Sequence, residues 1–154
     1  MGLVTRLQRL GPIRLIVFYL ASVLLVATIA CSSDSGSADI EVSGAWMRAG
    51  LDPTAAYMVI SNQGGADDAY LSATTDLSPE AQLHSTVKDG DFVAMEEVER
   101  LPIPARGTVE LRPAGLHLMV SDFSRVLEAG ETVAITLNFE KSGAVHVDAQ
   151  IRAK

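Results

Sequence analysis

The chain has 154 residues, 48% of them hydrophobic, and twelve Lys and Arg against nineteen Asp and Glu give a net charge of −7. That length holds one folded unit with appendages and leaves no room for a large multidomain enzyme. Three Arg and no acid fall within the first thirty residues, so the remaining 124 carry −10, a charge that repels phosphate backbones and removes nucleic acid from the partners to consider. In chain order, Arg6, Arg9 and Arg14 come first, followed by an uncharged, mostly apolar run from Leu15 to Ala30 that ends at Cys31. The run is shorter than the roughly twenty residues that cross a bilayer comfortably. It therefore predicts a signal peptide over residues 1–30. Cys31 is the only cysteine, which excludes an intrachain disulfide and any multi-cysteine metal site.

Ala27-Thr28-Ile29-Ala30 before that cysteine resembles a bacterial lipobox, with Thr28 where Leu is commonest. The resemblance implies cleavage before Cys31 and a lipid on its sulfur, hence an extracytoplasmic domain anchored to the membrane. Ordinary secretory cleavage with a free thiol, or a short uncleaved anchor, are the alternatives, and both also put the domain outside the cytoplasm. Ser32-Ser33-Asp34-Ser35-Gly36-Ser37 has nothing to bury and reads as a flexible tether over residues 31–38. The folded domain is expected over residues 39–154.

From there the pattern is strands. They are expected around residues 40–47, 56–62, 70–74, 81–87, 92–98, 108–112 and 116–120, then 132–139 and 145–151 at the C-terminal end. Val133, Ile135, Leu137 and Phe139 alternate with polar or small residues, the period of a strand with one buried face. Asp52-Pro53, Gly64-Gly65, Asp89-Gly90 and Pro113-Ala114-Gly115 supply turn chemistry between strands. Many short strands with frequent turns predict an all-β antiparallel sandwich or small barrel. Trp46 and Tyr57 are expected as core anchors, Met47 and Met58 as core filler.

Asp89-Gly90 as a two-residue turn makes Lys88 and Asp91 the first pair of a hairpin. Counting back from that pair, His84 lies directly opposite Met95, so imidazole and thioether share a face. In Leu116-His117-Leu118-Met119-Val120 the apolar set faces one way, which leaves His117 and Met119 together on the other. Thioethers with imidazole favour Cu(I), whereas Zn(II) prefers thiolate or carboxylate partners and Mg(II) or Ca(II) prefer oxygen. Methionine also suits an oxidising compartment, because it forms no disulfides. The sequence thus supplies two separate His/Met pairs, His84 with Met95 and His117 with Met119, and Cu(I) is the expected metal. His146 reads as solvent-facing, and Glu96 and Glu97 as a solvated edge.

His84, Met95, His117 and Met119 together resemble the H-x10-M-x21-H-x-M signature of the PCu(A)C-type extracytoplasmic copper chaperones. Gly44-Ala45-Trp46-Met47-Arg48, Ala55-Ala56-Tyr57-Met58, Asn62-Gln63-Gly64-Gly65, Gly107-Thr108-Val109-Glu110-Leu111 and Leu137-Asn138-Phe139-Glu140 resemble family segments in the same order. The resemblance implies a cupredoxin-like or immunoglobulin-like Greek-key β-sandwich that holds one Cu(I) near its surface, with His84, Met95, His117 and Met119 as the metal site, and hands it on by ligand exchange. The implied acceptor is the CuA site of cytochrome c oxidase subunit II, alone or with a Sco-type copper protein. Ser85 stands where many members have Met, and the chain lacks the His/Met-rich tail of some members. An enzyme is not expected: Ser85 and His84 point to opposite strand faces, which makes a poor nucleophile and base pair. A metal-free lipoprotein adhesion or scaffold module is the alternative class.

Overall fold

The computed structural model describes residues 36–90 and 92–153. The expected signal peptide, Cys31 and the expected tether up to residue 35 lie outside them. Within the described residues every regular element is a strand: β1 (Ile40–Arg48), β2 (Thr54–Asn62), β3 (Asp68–Thr75), β4 (Ala81–Asp89), β5 (Phe92–Glu97), β6 (Leu101–Ile103), β7 (Thr108–Leu111), β8 (Leu116–Val120), β9 (Thr132–Phe139) and β10 (Gly143–Arg152). All nine expected strands are present. The tenth, β6, is three residues long with Pro102 at its centre, and it sits at the sheet edge, where a missing backbone N–H is tolerated.

The strands pair in the order β5-β4-β8-β2-β1-β10-β9-β3-β6. Pairing of Ala73 on β3 with Ala81 on β4 closes seven of them into a barrel. Every pairing is antiparallel except β1 with β10, which run parallel through Trp46↔Gln150 and Arg48↔Arg152. The expected all-β architecture holds, with this one parallel seam. β9 and β10 alternate as their sequences require: Val133, Ile135, Leu137, Phe139, Ala149 and Ile151 fill the interior with Met47, Met58, Ile60, Leu83, Leu118 and Val120. Each such side chain is worth about 1.5–3 kcal/mol of burial. Met47 and Met58 are thus filler, and His146 faces out, its Nδ1 2.9 Å from Thr136 Oγ1 across the strand pair.

Two departures from regularity decide what reaches the outer surface. Ser43 pairs with Val59 and Trp46 with Tyr57, so Gly44 and Ala45 together oppose Met58. This is a bulge with Gly44 at φ 63°, the left-handed conformation that glycine adopts most cheaply. The extra residue reverses the alternation of β1: Val42 faces in, but so do Ala45 and Met47, and Trp46 and Arg48 turn outward. Trp46 is therefore not a core anchor, whereas Tyr57 is buried as expected, only 5% exposed, but on the outward side of β2. They stack on each other outside the barrel, centroids 4.5 Å apart, with Arg48 over Tyr57 and Arg152 over Trp46.

The second departure is the β4–β5 hairpin. Ala81 at the start of β4 belongs to the barrel wall, whereas residues 84–89 pair with β5 on the same edge. The hairpin thus leaves the barrel as a ribbon, and all of β5 is exposed. Buried polar groups elsewhere are fully used. Asn62 bonds Asp39 N and Gly64 N through its carbonyl, and Ala66 O and Ile103 O through its amide. Asp68 accepts from the backbone of Ala69, Lys141 and Ser142 and from the Ser142 hydroxyl.

Candidate metal centre

His84 and His117 occupy directly opposed positions on β4 and β8, two strands brought side by side from distant parts of the chain. Their rings meet edge to face with centroids 5.9 Å apart. Leu118 and Val120 anchor β8 to the core, which turns His117 and Met119 outward together as the alternation requires. His117 is nevertheless only 5% exposed, because β4 and its hairpin cover it. Its Nδ1 lies 3.0 Å from the carbonyl oxygen of Gly115. A carbonyl can only accept, so Nδ1 carries the proton and Nε2 is left with a free lone pair. The β7–β8 turn supplies that carbonyl: Gly115 N donates back to Arg112 O, and Ala114 takes a positive φ. The same Gly115 oxygen accepts Thr86 N of β4, tying the hairpin to the turn.

His84 is the complementary case. Its Nδ1 is buried and has no hydrogen-bond partner among the described residues. Such a group costs about 1–3 kcal/mol where nothing meets it.

The two thioethers flank this histidine row. Met119 pairs with Gln82 on one side and Ala55 on the other, half-buried in the barrel wall. Met95 pairs with Thr86, not with His84, whose partner on β5 is Glu97. The expected direct opposition of His84 and Met95 is corrected by one pair: Gly90, at φ 58°, takes the first position of the two-residue turn, so Asp89 and Phe92 close it. A slip of one full pair preserves the faces, and Met95 stays on the side of His84 as a diagonal neighbour. Met95 is 57% exposed on the projecting ribbon. Ser85 points away from His84 along the strand, as expected.

Met95, His117 and Met119 line a cavity of about 610 Å³ that runs on to Tyr57 and Arg48. Sequence reasoning missed the last two as site neighbours, because it read Tyr57 as a core anchor and gave Arg48 no role; for Arg48 the glycine inside the β1 pattern was the available signal. No three His, Cys, Asp or Glu side chains converge among the described residues. The cavity lining holds two thioethers and the His117 imidazole, and the His84 imidazole lies against His117 without belonging to that lining.

A closed strand barrel carrying such a donor face outside its wall defines a PCuAC-type domain. The family described as "Putative lipoprotein LpqE-like" matches residues 40–151, and the chain belongs to it. Among its relatives is the "Putative lipoprotein Lxx21020" of Leifsonia xyli subsp. xyli, 33% identical over 138 residues that span 88% of this chain and 83% of that protein. Two solved structures share the fold. The copper-bound PCuAC domain of PmoF2 superposes with a TM-score of 0.65 at 24% identity, covering 77% of this chain and 96% of that domain. The Cu(I) form of DR1885 from Deinococcus radiodurans superposes with a TM-score of 0.57 at 32% identity, covering 82% of this chain and 85% of that one.

Proposed function

We propose that this protein is an extracytoplasmic copper chaperone that binds one Cu(I) through His84, His117, Met119 and Met95 and passes it on by ligand exchange. The observation that carries the reading is the opposed His84–His117 pair, with one imidazole oriented through Gly115 and the other bearing a buried nitrogen that no protein group meets. A soft ion answers both: it bonds lone pairs that the chain leaves free, and the flanking thioethers suit Cu(I) rather than Zn(II) or an alkaline-earth ion. The Cu(I) form of DR1885, at 32% identity, supports the same choice. Orientation of a ligating histidine by a backbone carbonyl is the usual arrangement around a bound metal.

Release follows from the unequal setting of the sulfurs. Met119 is held in the wall, whereas Met95 rides on an exposed ribbon and withdraws at little cost, opening a position for an incoming ligand. The acceptor is the CuA site of cytochrome c oxidase subunit II, reached directly or with a Sco-type protein. Residues 1–30 are a signal peptide, and a lipid on Cys31 anchors residues 39–154 through the tether.

Competition for Cu(I) with a chromophoric chelator tests the binding step. The wild-type unit Asp34–Lys154, compact by itself, is expected to take the metal, and the His117→Ala, Met119→Ala double variant to leave it with the chelator. Equal competition by the two proteins ends the proposal. Transfer from the loaded domain to a purified subunit II fragment, followed by the appearance of the CuA absorption, tests the acceptor separately.

A further inference from the structure

A copper ion occupies far less than 610 Å³; that volume is the scale of a small organic ligand. The cavity is also chemically divided. Its lining carries the soft donors Met95, His117 and Met119 on β5 and β8 and, on the adjoining strands β2 and β1, Tyr57 and Arg48. Among the described residues no Asp or Glu lines it, although acidic residues outnumber basic ones in the chain by nineteen to twelve, and Arg48 is the one charged group of that lining.

That guanidinium is half-buried and forms no ion pair with any described residue; the ion pairs there are Arg100–Glu140 and Arg125–Glu131. Its position is nonetheless set. It stacks 5.6 Å above the Tyr57 ring centroid, and its backbone oxygen accepts a hydrogen bond from the buried Thr54 hydroxyl at 2.9 Å. Stacking occupies the flat face of a guanidinium and leaves its N–H edge for an acceptor. An edge of that kind matches a carboxylate with two parallel hydrogen bonds.

Resting on the copper reading above, we propose that this cavity receives a small organic acid that carries a soft copper donor, with its carboxylate on Arg48 and its donor atom at Met119. Copper then enters or leaves while coordinated to that molecule. In loading from a thiol complex, the bond from copper to the thiolate sulfur breaks as bonds to imidazole and thioether form. The metal stays Cu(I) throughout, and the departing thiolate takes a proton from water. Arg48 acts as a specificity residue for the carrier, outside the coordination sphere.

Three matched thiols test this: 3-mercaptopropionate, with a carboxylate, 2-mercaptoethanol, without charge, and cysteamine, with an ammonium group. In the copper-free protein, methionine-methyl and arginine-Nε spectra are followed as each is added. 3-Mercaptopropionate is expected to shift Met119 and Arg48, cysteamine to shift neither, and Arg48→Gln to abolish the effect. In the second arm, Cu(I) is supplied as each thiol complex, and loading is followed by chelator quench. Arg48→Gln is expected to slow loading from the mercaptopropionate complex about tenfold and to leave the mercaptoethanol rate within twofold, the loss of one charge-assisted contact. Arg48→Glu should reverse the order and favour the cysteamine complex, which a merely structural role for Arg48 would not do. Absence of the copper-free shifts in the wild type, or identical rate ratios in all three proteins, overturns the inference. Shifts without Cu(I) uptake leave the acid site standing and overturn the chaperone reading instead.

Discussion

Replacing His84 with leucine should make the copper-free domain more stable while destroying its affinity for copper. The Nδ1 atom of His84 is buried without a partner, a cost of about 1–3 kcal/mol in the absence of metal. Leucine has a comparable volume and no polar atom, and imperfect packing of such a swap costs less than about 1.5 kcal/mol. The net gain is about 1 kcal/mol, which for a domain of this size raises the melting temperature by about 4 °C. Urea and thermal unfolding of the unit Asp34–Lys154 in the presence of a strong copper chelator measure the first effect. Repeating the melt with Cu(I) measures the second: ligand at 100 times its dissociation constant stabilises the wild type by about 2.7 kcal/mol and His84→Leu by nothing. A copper-free His84→Leu domain less stable than wild type by 1 kcal/mol or more would refute the reasoning, since it would mean that the nitrogen has a partner in solution.

The two sulfurs should differ in the same assay family. An exposed methionine loses up to about 1.5–2 kcal/mol of rotamer freedom on binding, much of which Met119 has already lost in the wall. Met119→Ala is therefore expected to weaken Cu(I) binding about tenfold more than Met95→Ala, as chelator competition will show, and Met95→Ala alone should speed release. Asp68 offers a pH test. Burial works to raise its pKa, but the Ser142 hydroxyl and the amides of Lys141, Ala69 and Ser142 together outweigh it and hold the carboxyl below its ordinary 3.8. Its contribution is present above that value and lost as pH falls through the depressed one. Asp68→Asn should cost about 2 kcal/mol at neutral pH, a deficit that closes in urea melts as the pH falls below 3.8. At Gly44 a Cβ would meet nothing within 4 Å, so only the positive φ is at stake. Unfolding free energies should fall in the order Gly, Asn, Ala, Val, with Ala about 1 kcal/mol below Gly.

Most of the barrel was legible because alternation is a local signal, and β9 shows its four inward residues plainly. The faces of His84, Met95, His117 and Met119 were legible for the same reason, and they survived a misplaced turn because a slip of one pair moves every residue by two. What the sequence hid was non-local or hinged on one backbone angle. Nothing in the chain says that β4 lies beside β8, yet that adjacency alone puts His84 against His117. One left-handed glycine in β1 inverted the assignment of Trp46 and concealed the aromatic and arginine wall it builds with Tyr57 beside the site.

The parallel seam between β1 and β10 has a practical reach. Both strands finish at the same pole of the barrel, where Arg152 is the neighbour of Arg48 and hence of the cavity mouth. Ile40, where the described strand begins, lies roughly 25 Å away along β1, at the pole where Asn62 Oδ1 accepts from Asp39 N and Gln63 N donates to Asp39 O. Fluorophores or affinity handles spliced on behind Arg152 would crowd the doorway, and those placed ahead of Ile40 would not.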